Sequence, residues 1–378
     1  MLFEEALHEV ARFEGAHPEP FAELPYEAEL ALKNKALLNF WKANRLGEPP
    51  RELVPSPLPR RYRTTSKRRV VFEGKAYLEP RASLLEPAEH EGVYKLILER
   101  LLEPAFKPLA RALNWLVIRG SYKYRVVIFN VDHLDAAVVR KLKQMAEHLK
   151  ASPFGVTAAH AYVDPSRSDY YLEAARPAEG LAFKQLYGPR ELSLKLDAFS
   201  LHYPVTGFSQ INEAQIPNLL STAAALARLD GQTAFMDLYS GYGLFAFGIG
   251  TAAKSVLGAE WEGPSVEAAK ASARHLKLSR LKFLAGKIDA QFVKNLPKAA
   301  GREVVLLDPP RKGPLPGVLA AIAGRNPERV LHVFCGTDEI PMALEEWKAS
   351  GYHAKVAAPL DLFPGTAHVE TIILLEAK

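Results

Sequence analysis

From about Phe235 to the end of the chain, short apolar runs that close on a glycine or an acid alternate with segments of helical spacing. The runs are Ala234–Leu238, Ser255–Ala259, Val304–Leu307, Arg329–Phe334 and Ile372–Leu375. Helices between buried strands cover both faces of a sheet, so this rhythm predicts an α/β architecture of βαβ units in a doubly wound sheet. Ligands of such a sheet bind beyond the C-terminal ends of its strands. Those tips are therefore where chemistry is expected.

The first half reads differently. Pro25 to Leu46 has helical spacing, with Leu30, Leu37 and Leu38 on or near one face. Pro49, Pro50, Pro55, Pro57 and Pro59 then impose an extended connector. Arg60 to Arg69 carries six basic groups and no acid, and runs into the strand signal Val70-Val71-Phe72. Val126–Phe129 and Tyr170-Tyr171-Leu172 are further strand candidates, and Leu134 to Leu149 reads as an amphipathic helix. At 378 residues two domains are expected, an α+β region over 1–199 and an α/β domain over 200–378.

Composition narrows the chemistry. A single cysteine, Cys335, excludes an internal disulfide, a multi-cysteine zinc site and an iron–sulfur cluster on the chain's own thiolates. No metal is expected. The net charge of +5 and pI near 9.0 permit a polyanionic partner. Met1 to Gly15 shows no export signal, so a cytoplasmic protein without membrane association is expected. The apolar stretch Thr233–Ala253 is interrupted by Asp237 and four glycines, and reads as strand, turn and helix.

Asp237-Leu238-Tyr239-Ser240-Gly241-Tyr242-Gly243 follows an apolar run and precedes a helical one. Gly241 and Gly243 allow a backbone turn to pass close to a ligand. Ala246 completes the looser dinucleotide fingerprint, so a nicotinamide cofactor stays open at this point. Asp237 leans instead towards S-adenosylmethionine, whose amine needs a counter-charge. Glu260, 17 residues after Gly243, suits two ribose hydroxyls, and Asp289 is placed for the adenine.

The run Val304–Leu307 ends in Asp308-Pro309-Pro310-Arg311, a rigid turn beside a methyl donor. Methyltransferases acting on exocyclic amines follow a similar turn with a stacking aromatic residue. Arg311 takes that place here, which suits a uracil oxygen or a phosphate. The next run delivers Cys335 to its tip, and Glu370 opens the last one. Taken singly, Cys335 reads as a buried small hydrophobe and Glu370 as a solvated acid.

Together, Asp308-Pro-Pro-Arg311, Cys335 after a strand and Phe363-Pro-x-Thr-x-His-Val-Glu370 resemble the bacterial RNA 5-methyluridine methyltransferase family, which acts on tRNA or 23S ribosomal RNA. Tyr187-Gly-Pro189, Phe208-Ser-Gln210-Ile-Asn212 and Asp237-Leu-Tyr239 add to the resemblance, as does Glu260 with Pro264-Ser-Val266. More loosely, Tyr26–Leu38 and Pro55–Arg63 resemble that family's leading segment. The match is dense from about Leu186 onward and thin before it. It implies a Rossmann-like class I methyltransferase domain over 200–378, with an N-terminal α+β RNA-binding region over 1–199. Its cofactor would be S-adenosyl-L-methionine, released as S-adenosyl-L-homocysteine and contacted by Gln210, Tyr239, Glu260 and Asp308. Cys335 would be the nucleophile at carbon 6 of uracil and Glu370 the general base. Arg311 would steady an enolate or a phosphate.

The chain departs from the family pattern at Gly336-Thr337, where Asn-Pro is usual, and at Leu244, where a polar residue is usual. These departures keep a weak or inactive RNA-binding relative open as an alternative, and a small-molecule methyltransferase is a further one. The absence of a four-cysteine cluster and of a leading β-barrel module resembles the transfer-RNA branch. For the RNA backbone, Arg61, Arg63, Lys67 and Arg68 are the candidate contacts, with Arg119, Lys123 and Arg125 as a second cluster beside Tyr122 and Tyr124. The plain reading of both clusters is a solvated basic edge strand. A monomer is the default expectation.

Overall fold

The computed structural model describes residues 1–11, 17–80, 82–167, 183–196, 199–261 and 263–378. The chain divides into two compact units, one made of residues 1–59, 195–203 and 207–378, the other of residues 60–194 and 204–206. The N-terminal 59 residues thus belong with the C-terminal unit, in place of the single boundary expected near residue 200.

Apolar burial explains that placement. Helices α1 (Phe3–Val10) and α2 (Tyr26–Ala43) bury Phe3, Leu7, Leu37, Phe40 and Trp41 in one core with Leu307, Phe334, Trp347 and Ile373. Phe3 meets Phe40 edge-on at 5.9 Å. Helix α2 matches the expected helix, except that Leu38 points to solvent at 50 % exposure while Leu37 is buried. The next segment runs beside the sheet: Val54 N–H donates to Pro359 O, and Asp361 N–H to Val54 O, both at 3.0 Å.

The second unit holds β1 (Ser66–Glu73), β2 (Lys75–Glu79), β3 (Leu113–Gly120), β4 (Arg125–Val131), β5 (Val156–Val163) and β6 (Phe183–Tyr187). They form one sheet in the order β2-β1-β3-β4-β5-β6. Helices α3 (Ala88–Leu101), α4 (Lys107–Ala112) and α5 (Ala136–Lys150) share a core with it. Strands β1 and β4 and helix α5 are where the residue pattern put them, and Asp135 caps α5 by accepting the Val138 N–H at 2.7 Å. Tyr170–Leu172 lies outside the described residues. A two-stranded sheet, β7 (Glu191–Leu196) with β8 (Phe199–Pro204), follows, and then α6 (Ile216–Ala227).

The large sheet of the first unit comprises β9 (Ala234–Leu238), β10 (Ser255–Glu260), β11 (Leu281–Ala285), β12 (Glu303–Leu307), β13 (Arg329–Phe334), β14 (Tyr352–Leu360) and β15 (Glu370–Ala377). Its order is β11-β10-β9-β12-β13-β15-β14. Strands β9 to β13 pair in parallel, and β15 is antiparallel to both neighbours. The order reverses beside β9, which opens the crevice where such sheets bind ligands. The intervening helices are α7 (Leu244–Gly248), α8 (Gly263–His275), α9 (Ala290–Asn295), α10 (Val318–Ala323) and α11 (Ile340–Ala349). Thr233–Ala253 resolves into β9, a turn, α7 and a short 3-10 segment, as its glycines required.

Helix α11 is fastened by Trp347, which is fully buried and donates its indole N–H to His332 Nδ1 at 3.2 Å. Its ring meets Tyr352 edge-on at 5.8 Å. Replacing a large buried aromatic side chain by alanine leaves a cavity that costs about 3–5 kcal/mol. Trp347→Ala is expected to lose about that much in urea denaturation. A loss below about 1 kcal/mol would show that α11 can collapse onto β13 without it.

Candidate active site

Register sets the site. Leu307, the last residue of β12, pairs with His332 of β13, which runs two residues further, and the neighbouring tips carry Asp308 and Cys335. Phe334 pairs with Thr371 of β15, which brings Glu370 to that level from the other side. Cys335 Sγ lies 3.9 Å from Asp308 Oδ1 and 3.6 Å from the Pro309 carbonyl, and is half-buried. The structure therefore brings together the three residues that the sequence spreads over more than sixty positions.

The electrostatics of this cluster are dominated by burial of acids. Glu370 is 1 % exposed, its Oε1 has no hydrogen-bond partner, and its carboxyl is pushed well above the usual range. Burial is the main cause, Asp308 adds to it, and Arg311 opposes it. Asp308 is pushed up to about 7, again by burial, with the Cys335 thiol opposing. The Cys335 thiol is itself pushed up by burial and by the Asp308 and Glu370 carboxylates, against Arg311. Removing charged groups from water disfavours their charged forms, so burial shifts every acid of the cluster towards its protonated form. Arg311 is exposed, with its guanidinium carbon 6.0 Å from the Phe363 ring centroid.

Two further groups join the cluster from a turn that sequence reasoning passed over. Thr337 is buried and donates its hydroxyl to the Val369 carbonyl at 3.5 Å, linking the turn after Cys335 to the residue before Glu370. Glu339 is pushed up to about 7 by burial, opposed by Arg311. Gly336-Thr337 thus has a structural role of its own. No local pattern signals it, because the bond spans 32 positions.

The glycine loop after β9 turns through three left-handed residues, Tyr239 (φ 63°), Gly241 (φ 54°) and Gly243 (φ 93°). A Cβ on Gly243 would stand 2.8 Å from the Phe247 ring, so packing as well as φ requires glycine there. No atom lies within 4 Å of where a Cβ on Gly241 would stand, so the loop presents open space on that side. Glu260, at the tip of β10, accepts the Gly241 N–H at 3.0 Å. Tyr239 donates its hydroxyl to the Ile288 carbonyl at 3.5 Å, and Gln210 is 7 % exposed. Leu244, the unusual residue of this loop, is buried at the start of α7.

Two expected cofactor contacts have other tasks. Asp237 is fully buried and accepts the Ala246 N–H at 2.9 Å. Burial pushes its carboxyl well above the usual range, and its bond to Ala246 pins the loop from beneath. Asp289 caps α9 by accepting the Phe292 N–H at 2.8 Å. Its chain neighbour Ile288 receives the Tyr239 hydroxyl.

The basic residues of the second unit separate by burial. Arg68, expected as a phosphate contact, is 2 % exposed, paired to Glu86 at 2.5 Å and stacked on Tyr94 at 4.6 Å, so its charge is engaged inside the unit. Arg119 and Arg125 are buried too: Arg119 donates to the Val205 carbonyl, Arg125 to Phe154 O at 2.8 Å and to Glu89 at 3.1 Å. The Tyr124 hydroxyl donates to Ser193 O at 2.5 Å. Only the end of the basic run enters β1: Ser66–Arg69 pairs with β3, and β2 joins β1 from Arg69 onward. Arg61 and Lys123 are exposed, Arg63 and Lys67 half-buried, with Lys67 Nζ 4.9 Å from the Trp115 ring centroid.

The fold and the strand-tip cluster together define a class I methyltransferase-like unit. Residues 174–378 match the family model for tRNA (uracil-5-)-methyltransferase, and the chain belongs to that family. Among relatives, an uncharacterized RNA methyltransferase of Thermotoga maritima is 27 % identical over 96 % of this chain and 82 % of its own length. One of Clostridium acetobutylicum is 31 % identical over 50 % of this chain and 42 % of its own. Against the Clostridium acetobutylicum and Lactobacillus johnsonii relatives the match spans about half of their length. The crystal structure of the Pyrococcus abyssi tRNA (uracil-54, C5)-methyltransferase in complex with S-adenosyl-L-homocysteine shares the fold. It superposes with a TM-score of 0.70 at 19 % identity, covering 97 % of this chain and 92 % of that one.

Two outcomes follow from burial. Breaking a buried pair by removing one partner costs about 3–5 kcal/mol, whereas an exposed substitution stays within about 0.5. Arg68→Ala is expected to destabilise the protein accordingly in thermal melts, and Arg61→Ala to leave it unchanged. Asp308, titrating near 7 when folded, binds more protons there than in the unfolded chain. Its contribution to stability is therefore lost as pH rises from about 4 to about 7. Asp308→Asn is expected to raise Tm relative to wild type at pH 8 and not at pH 4, and an equal shift at both would reject the proton linkage.

Proposed function

We propose that this protein methylates carbon 5 of a uridine in RNA, with tRNA as the first substrate class to test, using S-adenosylmethionine. The observation that carries the reading is the convergence of Cys335, Asp308 and Glu370 on neighbouring strand tips, with Arg311 beside them. S-Adenosylmethionine supplies an electrophilic methyl group and leaves as S-adenosylhomocysteine. The open face at Gly241, the acid Glu260 beside it, Gly243, Tyr239 and Gln210 would hold that cofactor, and Asp237 and Asp289 hold the loops that carry them.

The residues then have defined tasks. Cys335 loses its proton, for which Asp308 at 3.9 Å is a nearby base, and its sulfur pair forms a bond to carbon 6 of uracil. The carbon 5–carbon 6 π pair becomes an enolate, steadied by Arg311, and carbon 5 takes the methyl group. Glu370 removes the proton from carbon 5, the freed pair restores the double bond, and the carbon 6–sulfur pair returns to Cys335. Both the thiol and Glu370 act deprotonated and both titrate above their usual ranges, so the rate is expected to rise with pH through neutrality.

For RNA, exposed Arg61 and half-buried Arg63 and Lys67 are the proposed phosphate contacts, and the net charge of +5 favours such a partner. A 23S ribosomal RNA substrate is the second possibility within the class.

The test uses tritiated S-adenosylmethionine with unmodified tRNA and with unmodified 23S RNA, followed by nucleoside chromatography. Label in 5-methyluridine is expected for the wild type and none for Cys335→Ala. Glu370→Gln is expected to turn over at least about 100-fold more slowly. It should also retain RNA in a complex that survives denaturant, because the adduct forms and is not released. RNA binding without any transfer by the wild type would replace this reading with that of an inactive RNA-binding relative.

A further inference from the structure

Lys33 has no place in the chemistry above, yet it is the most completely enclosed cation described in the first unit. Its side chain is 0 % exposed, and Nζ lies 2.7 Å from Glu29 Oε1, 2.8 Å from Asp361 Oδ1 and 3.4 Å from the Phe363 carbonyl. Glu29 is equally buried and accepts the Gly365 N–H at 2.6 Å. Gly365 is left-handed (φ 83°), its carbonyl accepts the Phe21 N–H at 3.1 Å, and Asp361 Oδ2 accepts the Tyr26 hydroxyl at 3.0 Å. Tyr26 in turn accepts the Ser56 N–H at 2.7 Å. Five of these bonds, from Lys33 to Asp361 and Phe363, from Tyr26 to Asp361, from Gly365 to Glu29 and from Phe21 to Gly365, hold the loop Asp361–Val369, which leads directly into Glu370.

From this geometry we infer that Lys33, held between Glu29 and Asp361, is a positioning residue that fixes the Asp361–Val369 loop and so the carboxyl of Glu370. The inference rests on the reading of Glu370 as the base that removes the carbon 5 proton. An ammonium group in the interior is tolerated only with its counter-charges and acceptors in place. Two carboxylates, a carbonyl and a tyrosine hydroxyl converge here, so the loop has one arrangement that satisfies them all. Glu370 needs such an outside reference, since its own Oε1 has no partner to hold it. A proton transfer requires the base within hydrogen-bond reach, so a small displacement of the loop slows that step and leaves earlier steps alone. Lys33's own bonds go to Glu29, Asp361 and Phe363, whereas the turn that carries Cys335 meets the loop at its far end, through Thr337 and Val369. The step before proton removal therefore reports on the rest of the site.

The experiment separates the two steps with RNA carrying 5-fluorouridine, in which carbon 5 has no proton to lose and the methylated adduct is trapped. Lys33→Met is expected to form that trapped adduct at a rate within about threefold of wild type. On ordinary RNA its turnover should fall about tenfold or more, with denaturant-resistant adduct accumulating. Hydrogen exchange in peptides covering 361–369 should quicken in the same variant. Lys35→Met, an exposed site on the same helix, should change none of these. If Lys33→Met does not fold, Tyr26→Phe, which removes one bond to Asp361, tests the same split. Unchanged turnover, or trapping and turnover falling in parallel, would overturn the inference. If the wild type neither transfers methyl nor traps RNA, the functional reading fails. Hydrogen exchange then still decides the bracing, and unaltered exchange over 361–369 rejects it.

Discussion

Parallel pairing of β12 with β13 is the interaction on which the site depends. Backbone hydrogen bonds in one register, Val304 beside Arg329 through Leu307 beside His332, fix where the two neighbouring strand ends stand relative to each other. A slip by one residue would turn every side chain of one strand to the opposite face. It would carry Asp308 or Cys335 away from the shared tip, whatever their identity. The antiparallel β15 is locked in the same way by Phe334 opposite Thr371, and this sets Glu370. The chemistry is thus held by main-chain pairing in the interior, and side chains at the tips need few bonds of their own.

That arrangement concentrates acids in a poorly hydrated place. Asp308, Glu370 and Glu339 all titrate above the normal carboxylate range, and Arg311 is the cation that opposes the shift at Glu370, at Glu339 and at the thiol. A resting site of this kind favours protonated groups and an unreactive sulfur. Desolvated acids are also a burden on stability, which is the common relation between strained sites and the scaffolds that carry them.

The sheet was legible because strands buried on both faces announce themselves as apolar runs, and β9, β10, β12, β13 and β15 fall on the five read from the residues. The tips were legible because rigid Asp-Pro-Pro and glycine-rich turns are local signals. What escaped the sequence depends on contacts between distant residues. Arg68 and Arg125 look like surface cations in a basic run, yet Glu86 and Glu89 pull them inside. The bond by which buried Asp237 fastens its loop to Ala246 is likewise invisible locally. The place of residues 1–59 escaped because a proline connector reads as a domain boundary, and only the shared core shows that the chain returns to where it began. Lys33, four residues after Glu29, looks like an ordinary helical surface pair, and nothing local reveals that both are buried.

That returning path has a consequence in time. Lys33 and its partner Asp361 are 328 positions apart, and the whole of the other unit's main segment lies between them. A ribosome delivers the N-terminal helices first and the strands that cover them last. During synthesis the nascent chain carries an apolar helix pair and an ammonium group with no acceptor from the loop before β15. Meanwhile residues 60–194 have emerged with nearly all of their own sheet and core. The last residues translated therefore complete both the fold of the first unit and its acid–base cluster. A message cut short near its end would yield neither.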